Sequence, residues 1–263
     1  MSAAPPNSTT DYAIETEGLT RRFGDFIAVD NVTLKIPKGQ LYGFLGLNGA
    51  GKTTTIRMLT TLLPPNAGVA KLWGHDVVKE PLAVRKLVGL VSDETSESQS
   101  TWAAREYLSY FARIRNMPHP ADEVERILGD VGLEAKFRGK LICTYSTGMK
   151  RRVEIARALM GRPKVLFLDE PTRGLDLPAK RDMWKLLLRL AATESVTTFL
   201  SSHDAQEIRT LCSQISVIAK GRVVHTGATR EMGNDIDAFE ECLVGMLTQS
   251  DRTEPVGLHF RSE

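Results

Sequence analysis

A chain of 263 residues, 42% hydrophobic and 25% charged, can bury a sizeable core in one large domain or two small ones, with the make-up of an ordinary globular protein. Lys plus Arg (34) nearly balance Asp plus Glu (32), and a net charge of +2 provides no electrostatic footprint for nucleic acid or an anionic membrane. Cys143, Cys212 and Cys242 are too few and too scattered for a disulfide framework or a zinc site, and read as buried thiols in a reducing cytosol.

Residues 1–12, MSAAPPNSTTDY, lack a basic leader and an apolar segment, so a disordered tail is expected there and not a signal peptide. No stretch reaches the ~18 apolar residues of a membrane span. Residues 13–36 read as short strands with a turn at Gly24-Asp25, and LYGFLG (41–46) as a buried parallel strand. KTTTIRMLTTLL follows as a helix with Ile56, Leu59 and Leu63 on one face, and LVGLV (87–91) as another buried strand. Residues 102–160 read as mostly helical, broken at Met117-Pro118-His119-Pro120. KVLFLDEP (164–171) is a strand ending at two carboxylates, and Leu177 to Ala192 a helix with Trp184, Leu187, Leu188 and Ala191 on one face. VTTFLSSH is a strand, DAQEIRTLC a helix capped by Asp204 with Glu207 three residues on, and ISVIAKGRVVHTG a hairpin turning at Lys220-Gly221. Ile236, Phe239, Leu243 and Met246 place one amphipathic helix in the tail, packed on the core. The alternation of strands and helices predicts an α/β core.

Chemistry concentrates at GLNGAGKT (46–53), which fits G-x-x-x-x-G-K-[ST] between a predicted strand and a predicted helix. Gly46, Gly49 and Gly51 let the backbone wrap closely, so that N–H groups of the loop, through Leu47, Asn48 and Ala50, point at phosphate oxygens. Lys52 reaches the β- and γ-phosphates, the Thr53 hydroxyl suits Mg²⁺, and Thr54 can donate to a phosphate. The acid that completes such a metal site belongs at the end of an apolar strand, and VLFLDE supplies Asp169 with Glu170 next to it. Neighbours on a strand point to opposite sides, which would let Asp169 hold the metal through a water while Glu170 reaches the water that attacks the γ-phosphate.

YSTGMKRRVEIARAL (145–159) sits shortly before PKVLFLDEPTRGLD, and SSHDAQE follows about thirty residues later. With the phosphate loop, this order resembles the ATP-binding subunits of ABC transporters over roughly residues 13–233. The resemblance implies a P-loop NTPase core, a parallel sheet with flanking helices, joined to an antiparallel β subdomain and a helical subdomain at about residues 94–160, with residues 234–263 a short helix and tail. It implies ATP hydrolysis with Mg²⁺ and two such domains packed head to tail, Ser146 and Gly148 of one capping the γ-phosphate held by the other. Ser146 would be an equally good helix cap, and both roles can hold at once. The family pattern further implies that Phe23 stacks on adenine, with Phe26 a competitor. Val29 would lie beside the base, Gly174, Leu175 and Asp176 would couple the two sites, and His203 would be the switch that contacts γ-phosphate.

The chain departs from the family in places. Asp93 stands where a metal-ligating Gln is usual, with Glu94 and Gln99 as alternatives; its carboxylate can still offer Mg²⁺ an oxygen. Leu47 replaces a Pro, and YSTGM resembles the version in exporters of drugs, sodium, or polysaccharide and lipid-linked sugar. The tail has no room for the regulatory domain of carbohydrate importers, which also leans toward export. The expectation is an ATPase at the cytoplasmic face of a membrane, driving a separate multi-span permease and binding no nucleic acid. The alternative is a soluble ABC ATPase acting on a macromolecular complex.

Overall fold

The computed structural model describes residues 11–92, 101–193 and 196–252. Two sheets divide the strands. A six-stranded sheet has the order β10-β9-β3-β8-β7-β6, built from β3 (Leu41–Leu45), β6 (Val88–Val91), β7 (Val165–Asp169), β8 (Thr197–Ser202), β9 (Gln214–Ala219) and β10 (Arg222–Ala228). All its pairs are parallel except β9 with β10, which turn antiparallel at Lys220-Gly221. Both turn residues have positive φ (49° and 79°), the requirement of a tight hairpin turn whose twist matches its strands. A four-stranded antiparallel sheet has the order β2-β1-β4-β5, from β1 (Tyr12–Phe23), β2 (Phe26–Pro37), β4 (Ala67–Leu72) and β5 (His75–Asp76). The strands expected to be short at 13–36 are thus a twelve-residue pair. β4, β5 and the helix α2 (Pro81–Leu87) carried too little periodicity to be read from the sequence.

Every residue of β3, β7 and β8 is buried, as suits strands covered on both faces. Alternation then divides the core. Leu41, Leu45, Leu166, Leu168 and Leu200 face the helices α3 (Ala104–Ile114), α4 (Pro120–Asp130), α6 (Thr147–Leu159), α7 (Leu177–Thr193), α8 (Ala205–Leu211) and α9 (Ile236–Arg252). Tyr42, Phe44, Phe167 and Phe199 face the antiparallel sheet and α1 (Lys52–Leu59). Phe199 is the hub of that second core, with ring centroids 5.1 Å from Phe44 and 5.5 Å from Phe167.

The helical stretch is divided as its breakers indicate: α3 ends before Met117, α4 starts at Pro120, and the short α5 (Ala135–Arg138) leads to α6. α9 buries Phe239 and Leu243 against the core, with Ile236 and Met246 beside them. Two expectations need correction. Leu188 of α7 is exposed, because the helix turns Met183, Trp184, Leu186, Leu187 and Leu190 inward instead. Of the cysteines only Cys212 is buried; Cys242 is half-buried, and Cys143 is exposed in the turn before α6. No helix of the described residues is long and apolar enough to cross a membrane.

Candidate functional site

The phosphate loop joins β3 to α1. Its shape depends on glycine: a Cβ at Gly46 would come within 2.4 Å of the Ile218 carbonyl oxygen, and one at Gly51 (φ 107°) within 2.5 Å of the Ala28 carbonyl oxygen. Gly51 caps α1 and brings no side chain to its first turn, so the N–H groups there have no side-chain partner. They sit at the positive end of the helix, which favours an anion. Leu47, Asn48 and Gly49 are exposed at the loop's crest, Ala50 is buried beneath it, and Thr54 is half-buried.

Three strands deliver the reactive side chains to this loop. The Lys52 side chain is buried; its ammonium donates to the carbonyls of Gly46 (2.7 Å) and Leu47 (3.2 Å) and lies 3.1 Å from Glu170 Oε1. Thr53 Oγ1 donates to Asp169 Oδ2 at 2.7 Å. The other Asp169 oxygen accepts from Ser201 Oγ, its register partner on β8. His203, one residue past β8, places Nδ1 2.7 Å from Glu170 Oε2. The two oxygens of Glu170 are therefore held from two sides, one by the phosphate loop and one by the histidine.

The separation of the two acids has a different origin from the one expected. Glu170 lies beyond the last residue of β7 with φ 50°, a left-handed conformation uncommon for a non-glycine residue. Its N–H donates to the Ser201 carbonyl (3.1 Å), which holds the turn. Both acids consequently face the phosphate loop, Asp169 at Thr53 and Glu170 at Lys52, where pleat alternation would have sent them apart. Ser201 is fully buried and fixes both acids, yet no sequence motif singled it out. The signal was its place two residues before His203, on the strand next to β7.

The Thr53 hydroxyl and the Asp169 carboxylate converge as hard oxygen donors, a set that fits Mg²⁺. Asp93, Glu94 and Gln99, candidates for a further ligand, lie outside the described residues.

The second group of candidates stands on α6 and the loop before α7. Ser146 caps α6, its hydroxyl oxygen accepting the Met149 N–H at 3.2 Å, and it is exposed. Tyr145 anchors the turn: its ring is buried and its hydroxyl donates to the Phe137 carbonyl. A Cβ on Gly148 would lie 3.7 Å from Ala179 Cβ and 3.9 Å from Leu175 Cδ2, so the start of α6 adjoins the 174–176 loop. Asp176 is exposed and accepts the Ala179 N–H (2.9 Å), capping α7.

At the far end of the first hairpin, Phe23 and Phe26 are register partners across the Gly24-Asp25 turn, 46% and 64% exposed. The Arg21 guanidinium lies 4.7 Å from the Phe23 ring centroid and holds that face. Either ring can meet a planar base. Val29 has no exposed surface: it packs inside the second core, with Cγ2 3.4 Å from where a Cβ on Gly51 would stand. Its neighbour Ala28 is also buried and meets Gly51 through its carbonyl oxygen.

Known proteins resemble this chain in sequence and in fold. A sequence profile of the ABC transporter family matches residues 29–173. The daunorubicin/doxorubicin resistance ATP-binding protein DrrA of Streptomyces peucetius is 37% identical over 232 residues, 88% of this chain and 69% of the relative. The bacitracin transport ATP-binding protein BcrA of Bacillus licheniformis is 37% identical over 211 residues, covering 80% and 68%. The ABC transporter ATP-binding protein NatA of Bacillus subtilis is 34% identical over 251 residues, covering 93% and 95%. Among solved structures, cbiO1 from Clostridium perfringens, part of the ABC transporter complex cbiONQ, matches with a TM-score of 0.77 at 27% identity over 92% of this chain and 97% of that one. A glycine-shaped phosphate loop, two acids drawn to it, and relatives matched over most of their length together make this chain a member of the ABC transporter family, one of its ATP-binding, ATP-hydrolysing subunits.

Proposed function

We propose that this chain powers an exporter: two copies, or this chain and a close relative, close on ATP and pull on a separate multi-span permease at the cytoplasmic face of the membrane. The observation that carries the reading is the double grip on Glu170, by Lys52 at 3.1 Å and His203 at 2.7 Å, beside the Thr53–Asp169 pair. Relatives named for drug resistance and for bacitracin transport support the outward direction.

The residues act in a definite order. The β- and γ-phosphates of ATP draw the Lys52 ammonium away from Glu170, and the N–H groups of the loop and of α1 hold the anion. Oε1 of Glu170 is then free to accept a proton from the attacking water, while His203 Nδ1 keeps the carboxylate oriented. Mg²⁺, held by Thr53 and through water by Asp169, would offset negative charge on the phosphates. The second chain's Ser146, Gly148 and α6 N-terminus cap the γ-phosphate, and its Asp176 loop couples the two sites. Phe23 stacks on the adenine ring. Electrostatic clamping, more than covalent chemistry, lowers the barrier.

Glu170→Gln keeps the shape of the side chain and removes its basicity. Hydrolysis should fall by about 10²–10⁴, while ATP binding persists and size-exclusion chromatography shows an ATP-dependent dimer. Hydrolysis at the wild-type rate would refute the role given to Glu170.

A further inference from the structure

One carboxylate lies behind the site and takes no part in the chemistry above. Glu207, in the first turn of α8, is fully buried. Its Oε2 accepts from Ser202 Oγ at 2.6 Å, and Ser202 is the residue immediately before His203. Its Oε1 accepts from the Trp184 indole N–H on α7 at 3.1 Å, and the Thr172 hydroxyl, two residues past Glu170, lies close enough to favour its charged form. Ser202, Thr172 and Trp184 are themselves buried. A parallel tie runs beside this one. Lys180 of α7 pairs with Asp204, the cap of α8, which accepts the Glu207 N–H at 2.9 Å. Ser202 Oγ closes the ring by accepting the Asp204 N–H at 3.0 Å.

Burying a carboxyl here is costly, and burial pushes Glu207 above its ordinary value. An apolar side chain of similar volume would fill the space without that penalty. What a carboxylate adds is direction: it fixes donors on two separate segments, Ser202 and Trp184, and faces a third at Thr172. Those segments are the ones that matter for hydrolysis. Ser202 precedes His203, Thr172 lies between Glu170 and Asp176, and Trp184 stands on the helix that Asp176 caps.

We propose that Glu207 is a positioning residue for hydrolysis, holding the backbone turn that presents His203 to Glu170 and tying that turn to the segment between Glu170 and Asp176. It acts through His203, and so the inference rests on the role given to that residue above, keeping the Glu170 carboxylate oriented. The nucleotide grip, made by the phosphate loop and α1, does not pass through Glu207.

The test uses the full chain with saturating Mg²⁺ and titrated ATP. Glu207→Gln should lower kcat about tenfold or more, because small displacements of a reacting constellation are amplified in rate, while KM for ATP stays near the wild-type value. Glu207→Gln in a His203→Ala background, read at enzyme concentrations high enough to follow the residual rate, should lower kcat no further. Trp184→Phe, which removes a single donor and keeps an aromatic ring, should shift kcat in the same direction by less, and decides the matter if Glu207→Gln does not fold. Wild-type kcat in Glu207→Gln, or in Trp184→Phe should that be the deciding variant, overturns the inference alone. An equal loss in both His203 backgrounds also overturns it, since a purely structural role would add independently. Wild-type kcat in His203→Ala would overturn the orienting role of His203 together with this inference.

Discussion

The phosphate loop and the Ser146 turn are both glycine-bearing starts of helices, and they are finished differently. Around α1, Lys52, Thr53, Asp169, Glu170 and His203 bond one another, so each reactive group is oriented from within the chain. At α6, Ser146 is exposed and its hydroxyl caps its own helix through Met149. The first region is a grip that is already assembled. The second leaves its capping hydroxyl and a positive helix end exposed, which is what the proposed contact with a second chain requires.

Removing the outward hydroxyl is the strongest way to break that contrast. If Ser146 serves only its helix, Ser146→Ala costs about 1 kcal/mol of stability and leaves hydrolysis alone. If it seals the partner's nucleotide, hydrolysis falls by about a hundredfold, the scale of losing one preorganised donor to a transition state, while equilibrium dialysis shows an unchanged affinity of the single chain for ATP. A smaller effect sharpens the picture of the grip. Phe23→Ala should raise KM for ATP, by the loss of a base-stacking contact worth about 1–3 kcal/mol, with kcat at saturating ATP little changed. Phe26→Ala should leave KM alone, and the reverse pattern would give the base to Phe26, which stands opposite Phe23 on the same face of the hairpin.

The smallest effect concerns the wiring behind the grip. Glu207 is held above its ordinary carboxyl value by burial, with Lys180 and Asp204 the charged groups nearby. Between the ordinary value and the raised one, the folded chain binds more protons than the unfolded chain. Stability from this group is therefore greatest on the acid side and is lost as pH rises through that window. Glu207→Gln removes the titration. Its melting temperature relative to wild type should rise as pH is raised from 5 to 8, and a difference that stays flat would contradict the assignment. Asp204 contributes the opposite sign: burial works to raise it, but Lys180 and the α8 N–H groups outweigh this and hold it low, so its share is lost only as pH falls through that lowered value.

Much of the grip was legible in the sequence, for stated physical reasons. Gly46 and Gly51 stand where backbone from elsewhere comes within 2.5 Å of any added Cβ, so the motif spacing is forced by sterics. β3 and β7 show as apolar runs because both of their faces are covered. Ser201, Ser202, Thr172 and Glu207 were not legible as a network. Single hydroxyls carry no spacing rule, and only the β7–β8 register and the packing of α7 on α8 bring them together. The burial of Val29 was not legible, because pleat direction in β2 is set by irregular pairing with β1, where the register shifts several times. The left-handed turn at Glu170 had no sequence signal either, since a glutamate rarely adopts it.

The central claim is that each nucleotide is enclosed by two chains, and the dependence of ATPase rate on protein concentration tests it most directly. The rate per molecule for the wild-type chain should rise with concentration and then level off, and Ser146→Ala should stay low throughout. A rate per molecule that is constant down to nanomolar protein, and equal in Ser146→Ala, would show that one chain hydrolyses ATP unaided.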